Sequence, residues 1–176
     1  TYLLNSKDLN MLSRLAELEE AGVTSFKIEG RMKSEYYLAT VINAYRRALD
    51  GGSEPRLEKE LSNVAHREYT QGYAFGENRE TVNYADSQTK GDYTYIANVL
   101  GGSEGIVEAE MRNRFREGDT LEVLSPDDNF GKTFEAKEIF DEGGLRTADA
   151  KLVQAKYKIS CPYHVKKGDF LRRKNA

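Results

Sequence analysis

The stretch Ser25-Phe26-Lys27-Ile28-Glu29-Gly30-Arg31-Met32-Lys33-Ser34-Glu35-Tyr36-Tyr37 decides how the rest of the chain is read. Phe26 and Ile28 alternate with Lys27 and Glu29, the period of a half-buried strand. Gly30 breaks the alternation. Beyond Lys33, Leu38, Ile42, Tyr45 and Leu49 form one stripe at helical spacing, with Tyr37, Val41, Ala44 and Ala48 beside it. A strand that turns at one glycine into a long amphipathic helix is the joint at which α/β proteins place much of their chemistry.

Upstream, Ser6 fits the N-cap of a helix beginning at Lys7, with Asp8 in its first turn and Leu9, Leu12, Leu15, Ala16 and Leu18 on one face. Gly22 fits the left-handed residue that ends it, and Val23–Ile28 follows as a strand. Downstream, Gly51-Gly52 ends the long helix. Pro55 suits the first turn of a third helix from Arg56 to about Tyr69, a surface helix with Leu57, Leu61 and Val64 as its sparse stripe. Helix, turn, strand and helix in this order suggest part of a repeating α/β unit. Residues 70–91 hold turn residues and no sustained period, and read as an ordered linker packed through Tyr73, Phe75 and Tyr84.

From residue 92 the pattern changes to strands: 93–100, 105–109, 120–124, 133–140, 156–160 and 170–173, separated by Gly, Asp, Asn and Pro turns. Six short strands in that span suit a small closed or nearly closed barrel, which also removes exposed edges. The expected architecture is α+β: residues 1–69 a helix-strand-helix piece of a (β/α) barrel, 70–91 a linker, and 92–176 a small antiparallel β-barrel.

The formal net charge of -3, with 26 basic and 29 acidic residues, argues against a general nucleic-acid sponge but allows a local basic patch. The single cysteine, Cys161, cannot form an internal disulfide, which suits a reducing, cytoplasmic compartment. No apolar run reaches the length of a membrane span. Thr1-Tyr2-Leu3-Leu4-Asn5 carries neither an initiator Met nor the pattern of a signal peptide, and reads as the interior of a longer chain.

Two sets of residues are candidates for function. Lys27, Glu29, Arg31 and Lys33 would line the mouth of a (β/α) barrel, with Arg31 and Lys33 at a helix N-terminus where backbone N–H groups add to the attraction for a phosphate or carboxylate. Salt bridges among them that merely close the turn are the competing explanation. Arg112, Arg114 and Arg116 share one face if extended, and with Arg172, Arg173, Lys166, Lys167 and Lys174 could form an RNA-backbone surface. Glu108, Glu110, Glu117 and Asp119 stand close by, so a solvated mixed-charge face competes with that reading. His66 and His164 read as surface residues and Cys161 as a packing thiol. No Walker loop, dinucleotide fingerprint, nucleophile elbow or metal spacing is present.

Lys27-Ile28-Glu29-Gly30-Arg31-Met32-Lys33-Ser34, with Tyr36-Tyr37 and Tyr45-Arg46-Arg47-Ala48-Leu49-Asp50, closely resembles peptidase family U32, the collagenase-like proteases. Asn5-Ser6-Lys7-Asp8-Leu9, Arg112-Asn113-Arg114-Phe115 with Gly118-Asp119, and Gly168-Asp169-Phe170-Leu171-Arg172-Arg173 resemble it too, so the likeness covers nearly the whole chain. The resemblance implies the tail of a (β/α)-barrel-like catalytic domain followed by the family's C-terminal β-barrel, similar to barrels in translation factors.

Family members are described either as peptidases acting on collagen or other proteins, or as RNA- or quinone-hydroxylation proteins with a cysteine-bound iron–sulfur cluster. The resemblance therefore implies a catalytically incomplete chain, no cofactor of its own, and a cluster held on cysteines upstream. The leading expectation is a barrel that recognises substrate beside a peptidase domain, with Lys27–Lys33 at the active-site mouth. The alternatives are an RNA-binding barrel of a tRNA or rRNA hydroxylation protein, and a purely structural or oligomerisation barrel. Expected partners are the upstream catalytic domain, a collagen-like protein or RNA substrate, and a second copy paired through the strand Val23–Ile28, whose edges would otherwise be bare.

Overall fold

A computed structural model describes residues 4–52, 54–76, 80–86, 88–89, 91–103 and 105–175. The chain forms two compact units, Thr1–Asp92 and Tyr93–Ala176.

The first unit begins with a strand where a helix was expected. β1 (Asp8–Leu9) pairs in parallel with β2 (Tyr69–Thr70), Asp8 opposite Tyr69. The reason lies in where the backbone donors go: the N–H of Lys7 donates to Thr81 O (2.8 Å), that of Asp8 to Glu68 O (2.9 Å) and that of Asn10 to Thr70 O (2.9 Å). A segment bonded across to distant chain cannot also close helical turns. A 3-10 turn at Leu12–Arg14 then leads into α1 (Leu15–Glu20). Its end is as expected. Gly22, at φ +92°, donates to Glu19 O (2.9 Å) while the Val23 N–H reaches back to Leu18 O (3.0 Å), the paired bonds of a Schellman cap.

Residues 23–30 are extended but form no ladder, which corrects the strand expected there. The alternation itself holds, with Phe26 and Ile28 partly buried and Lys27 and Glu29 exposed. What is lacking among the described residues is a neighbouring strand to accept the hydrogen bonds. At Gly30 the residue type is set by a close approach rather than by a positive φ, since a Cβ there would stand 2.1 Å from Leu38 Cδ2.

α2 (Glu35–Leu49) starts at Ser34, whose Oγ accepts the Tyr37 N–H at 3.2 Å. It buries Tyr36, Thr40, Val41 and Ala44. Ile42 is half exposed, so the buried face is narrower than the two predicted stripes. α3 (Glu54–Leu61) packs on α2 and buries Leu57 and Leu61, with Val64 just beyond its end. It stops eight residues short of the expected Tyr69, because the Ser62 hydroxyl caps Lys59 O (2.7 Å) and the chain leaves to form β2. The stretch read as a linker contributes to this unit: Ser6 and Val82 form an antiparallel bridge, and the Asn83 N–H donates to Asn5 O (2.9 Å).

The second unit holds β3 (Tyr93–Ser103), β4 (Ile106–Met111), β5 (Phe115–Arg116), β6 (Thr120–Leu124), β7 (Thr133–Glu135), β8 (Ile139–Phe140), β9 (Asp149–Ala150), β10 (Lys156–Ser160) and β11 (Phe170–Lys174). Seven of them form one antiparallel sheet in the order β7-β6-β11-β3-β4-β10-β8, and β5 pairs with β9. The two-residue strands β5 and β9 carry too few residues to show a period in the sequence.

The sheet curls into a half-barrel. Its two outermost strands, β7 and β8, are consecutive in the chain and joined by only Ala136, Lys137 and Glu138, so that Glu135 and Ile139 lie about 14 Å apart at most. The edges are therefore drawn together around a core that includes Ile96, Val107, Phe115, Leu121, Ile159 and Leu171. Strands β6 and β11 are introduced by the same device. Asp119 Oδ2 accepts the Arg116 N–H (2.8 Å) and Asp169 Oδ2 accepts the Lys166 N–H (2.9 Å), each after a glycine of positive φ.

Candidate functional site

The first unit contains a cavity of about 410 Å³ between its extended segment and the faces of β1, β2 and α2. Asp8 is its anchor. The Arg67 guanidinium forks onto Asp8 Oδ1 (3.0 and 2.8 Å) while the Arg67 backbone N–H donates to Oδ2 (3.0 Å). Three charge-assisted donors from one residue fix both side chains. Lys33 approaches the same carboxylate at 3.8 Å and lies over the Tyr37 ring, 4.7 Å from its centroid. Opposite, Asn10 Oδ1 accepts the Tyr45 hydroxyl (3.0 Å) and the Leu12 N–H (3.0 Å), and its amide donates to Glu58 Oε2 (2.8 Å).

Three phenols face this cavity, Tyr37, Tyr45 and Tyr69. Burial raises the pKa of all three, with the Asp8 carboxylate adding to the effect at Tyr37 and Arg67 opposing it. They are therefore neutral hydroxyls at physiological pH, able to donate hydrogen bonds. Tyr69 already donates to Leu61 O (3.0 Å) and is stacked on His66, centroids 4.1 Å apart.

Of the four residues singled out in the sequence, Lys27, Glu29 and Lys33 line the cavity. Lys27 and Glu29 form a salt bridge at 2.9 Å, with side chains 85% and 74% exposed. Arg31 is exposed and outside the cavity lining. The arrangement can hold a small polar molecule with an anionic group toward Lys33 and a hydrogen-bond acceptor toward the Tyr37 phenol, since the Tyr45 and Tyr69 hydroxyl protons already go to Asn10 Oδ1 and Leu61 O. Asp8, Asn10 and Arg67 were not found by sequence reasoning: Asp8 and Arg67 lie far apart in the chain, and only the β1–β2 pairing brings them together.

On the second unit the arginines separate. Arg112 pairs with Glu110 at 2.9 Å, whereas Arg114 forks onto Asp149 (2.8 and 2.5 Å) and Arg116 approaches Asp149 at 3.8 Å. Phe115 between them is buried, as a two-residue period requires. Arg173 pairs with Asp119 at 2.5 Å. Arg172 does not belong to any surface: its side chain is 1% exposed and bound to Glu122, with the Tyr93 ring 4.7 Å from the guanidinium carbon. The register shift in the β11–β3 ladder inserts Ile96 of β3, so that Ile96 and Ala97 are both buried, while β11 keeps its alternation against β6: Leu171 lies opposite core Val123 and Arg172 opposite Glu122, on the other face of the sheet. Acidic and basic residues are equal in number over 93–176.

Comparison with known proteins now bears on this geometry. The family model described as peptidase family U32 matches residues 1–84, and the model of the peptidase family U32 C-terminal domain matches residues 91–172. The chain belongs to peptidase family U32. Within it, this U32 chain is 34% identical over 146 residues to tRNA hydroxylation protein P of Escherichia coli, covering 78% of the chain and 32% of that protein. It is 28% identical to a collagenase of Porphyromonas gingivalis, covering 71% of the chain and 38% of that protein. The U32 chain thus spans about a third of the length of these relatives. Among solved structures, the C-terminal domain of a Geobacillus thermoleovorans U32 peptidase aligns with 46% of the chain and 92% of its own length, with a TM-score of 0.44 and 26% identity.

The iron–sulfur cluster implied by the resemblance does not fit the residues present. Such clusters take several thiolates, whereas Cys161 is the one cysteine and lies in the barrel core with its Sγ 3.6 Å from Tyr163 O. Burial raises its pKa, which keeps it a thiol. No group of three or more His, Cys, Asp or Glu placed to hold a metal occurs among the described residues. Nor is any helix among them long and apolar enough to cross a membrane.

Proposed function

We propose that this U32 chain is the C-terminal part of a tRNA-hydroxylation protein, in which residues 93–176 contact the RNA and residues 1–92 furnish one wall of the reaction chamber. The observation that carries this reading is the relationship to tRNA hydroxylation protein P, which has both higher identity and wider coverage of the chain than the collagenase. The cavity beside Asp8, Lys33 and Arg67 suits such a wall. Its cations can hold an anionic group and its neutral phenols can orient a polar ring, while the chemistry itself is supplied from elsewhere in the protein.

The test is binding of an unmodified tRNA transcript to the chain by fluorescence anisotropy across a salt series. The expected result is association at low salt with log K falling linearly in log salt; no association at about 20 mM salt overturns the RNA role. A second reading, in which 93–176 is a purely structural barrel, is favoured by the pairing of Arg112, Arg114 and Arg173 with carboxylates. The peptidase reading, supported by the collagenase relative, expects cleavage of a collagen peptide by the chain together with its catalytic domain and not by the chain alone.

A further inference from the structure

A local excess of positive charge lies where β5 meets β9. There Arg114 and Arg116 both turn to one carboxylate, Asp149, and Lys151 stands two residues further on. The Asp149 pKa is held below the ordinary carboxylate range, chiefly by the Arg114 hydrogen bonds, with Arg114, Arg116 and Lys151 also lowering it through space. Three cations surround one anion. Of the two arginines, Arg114 has the complete bidentate pair and Arg116 only a long contact at 3.8 Å.

The neighbouring turn has an unusual surface. Leu152 and Val153 are 63% and 65% exposed in succession. The turn is pinned in place, with the Gln154 N–H donating to Met111 O (2.8 Å), the Met111 N–H to Ala155 O (3.0 Å) and the Ala155 N–H to Leu152 O (3.1 Å). Gln154 itself sits at φ +66°, the single non-glycine residue with positive φ among the described residues. A side chain held in the left-handed region costs of order 1 kcal/mol and persists where the surroundings over-determine it. Fixed exposure of two apolar side chains next to surplus positive charge is a rigid surface with apolar and cationic character together.

We propose that Arg114, Arg116 and Lys151 form the phosphate-binding point of the barrel and that Asp149 is a resident anion which an RNA phosphate displaces, with Leu152 and Val153 lying against the adjacent nucleoside. The inference rests on the RNA-contact reading above and specifies where contact is made. Arg114 and Arg116 are two residues apart on an extended strand, about 6.6 Å, a spacing comparable to that of successive phosphates along a nucleic-acid strand. Holding Arg114 on Asp149 in the free protein preorganises the guanidinium fork for a phosphate, at the cost of breaking an exposed ion pair on binding. Because that pair is exposed, the exchange is nearly balanced, and bound phosphate is favoured by counterion release from the RNA. Asp149 thereby sets a threshold. Isolated anions compete poorly with it, and a polyanion that engages several cations at once succeeds.

The decisive variant is Asp149→Asn, which removes the competing charge and keeps the backbone of the β5–β9 pair. Binding of unmodified tRNA to the chain is expected to tighten about two- to fivefold, the range an exposed ion pair allows. The slope of log K against log salt is expected to steepen by about 0.7 for each further phosphate that the freed cations neutralise. Arg114→Ala should weaken binding and, combined with Asp149→Asn, abolish the tightening. Thermal melts of each variant show whether the fold is kept, and Lys151→Glu, fully on the surface, supplies a second loss-of-binding variant that leaves the β5–β9 pair untouched.

If wild-type chain binds tRNA while Asp149→Asn and Arg114→Ala leave both affinity and slope unchanged, the RNA docks elsewhere and this inference falls alone. If neither wild type nor Asp149→Asn binds tRNA at low salt, the RNA-contact reading falls with it. Tighter binding by Asp149→Asn confined to vesicles containing phosphatidylserine assigns the surface to a membrane and overturns the proposal as well.

Discussion

Removing Glu122 should be among the most damaging single changes to the barrel. Arg172 is enclosed, and its Nε donates to Glu122 Oε1 at 3.0 Å while the Tyr93 hydroxyl donates to Glu122 Oε2 at 2.8 Å. Glu122→Ala takes the Glu122 carboxylate away from a guanidinium that is 1% exposed, a change that costs about 3–5 kcal/mol. For a unit of this size each kcal/mol lowers the melting temperature by roughly 4–8 °C, so a fall of more than about 10 °C is expected. Glu122→Gln should cost less, because the amide oxygen still accepts from Arg172. The double variant Glu122→Leu/Arg172→Met removes both charges together and should recover most of the loss, since a buried pair is often replaceable by apolar groups of similar size. Urea unfolding of wild type, Glu122→Leu, Arg172→Met and the double variant, treated as a double-mutant cycle, measures the coupling. A Glu122→Ala cost below about 1 kcal/mol, or a double variant no more stable than the worse single, would refute the view that this pair is buried and mutually dependent.

Three further outcomes are expected. Gly30→Ala should destabilise the first unit by about 1–3 kcal/mol because its Cβ meets Leu38 Cδ2; the loss should shrink in a Leu38→Ala background, and equal losses in both backgrounds would count against the contact. Ser34→Ala removes the N-cap of α2 and should cost about 1 kcal/mol by denaturant unfolding, with Ser34→Asp retaining most of the stability. Asp50 has its pKa lowered, first by the hydrogen bonds from Arg46, so its contribution is present above the ordinary aspartate pKa of about 3.9 and is lost as the pH falls through the lower folded value. Melting curves of wild type and Asp50→Asn should therefore differ near pH 6 and converge in acid, and a difference that grows toward low pH would contradict the sign.

The barrel strands were the most legible part of the chain. Turns built on Gly118-Asp119 and Gly168-Asp169 announce strands whose inward and outward residues alternate, and the ladders at 120–124 and 156–160 begin and end where that alternation does. The N-terminal segment was misread because its pattern is compatible with a helix face, while its fate is decided by Arg67, Glu68 and Thr70, which hold it as a strand. At Val23–Ile28 the period was right and the ladder was not, since alternation records which side is buried and says nothing of whether a neighbour lies alongside. Of the candidate site, Lys27, Glu29 and Lys33 were legible as a charged turn, but the carboxylate that draws Lys33 inward lies in another element. Arg172 illustrates the limit on the barrel. Its place in a run of basic residues marked it as surface, whereas its cross-strand neighbour Glu122 and the Tyr93 ring bury it.

The sheet order carries a consequence for how the protein is made. β3, the first strand of the second unit to leave the ribosome, lies at the centre of the sheet beside β11, the last. Pairing of the two must wait for all the intervening residues, and such distant contacts form slowly. While synthesis proceeds, the edge of β3 that β11 will occupy stays open, an invitation to strands of other nascent chains. The central seam of the barrel closes last, and chaperone protection would matter most in the interval before β11 emerges.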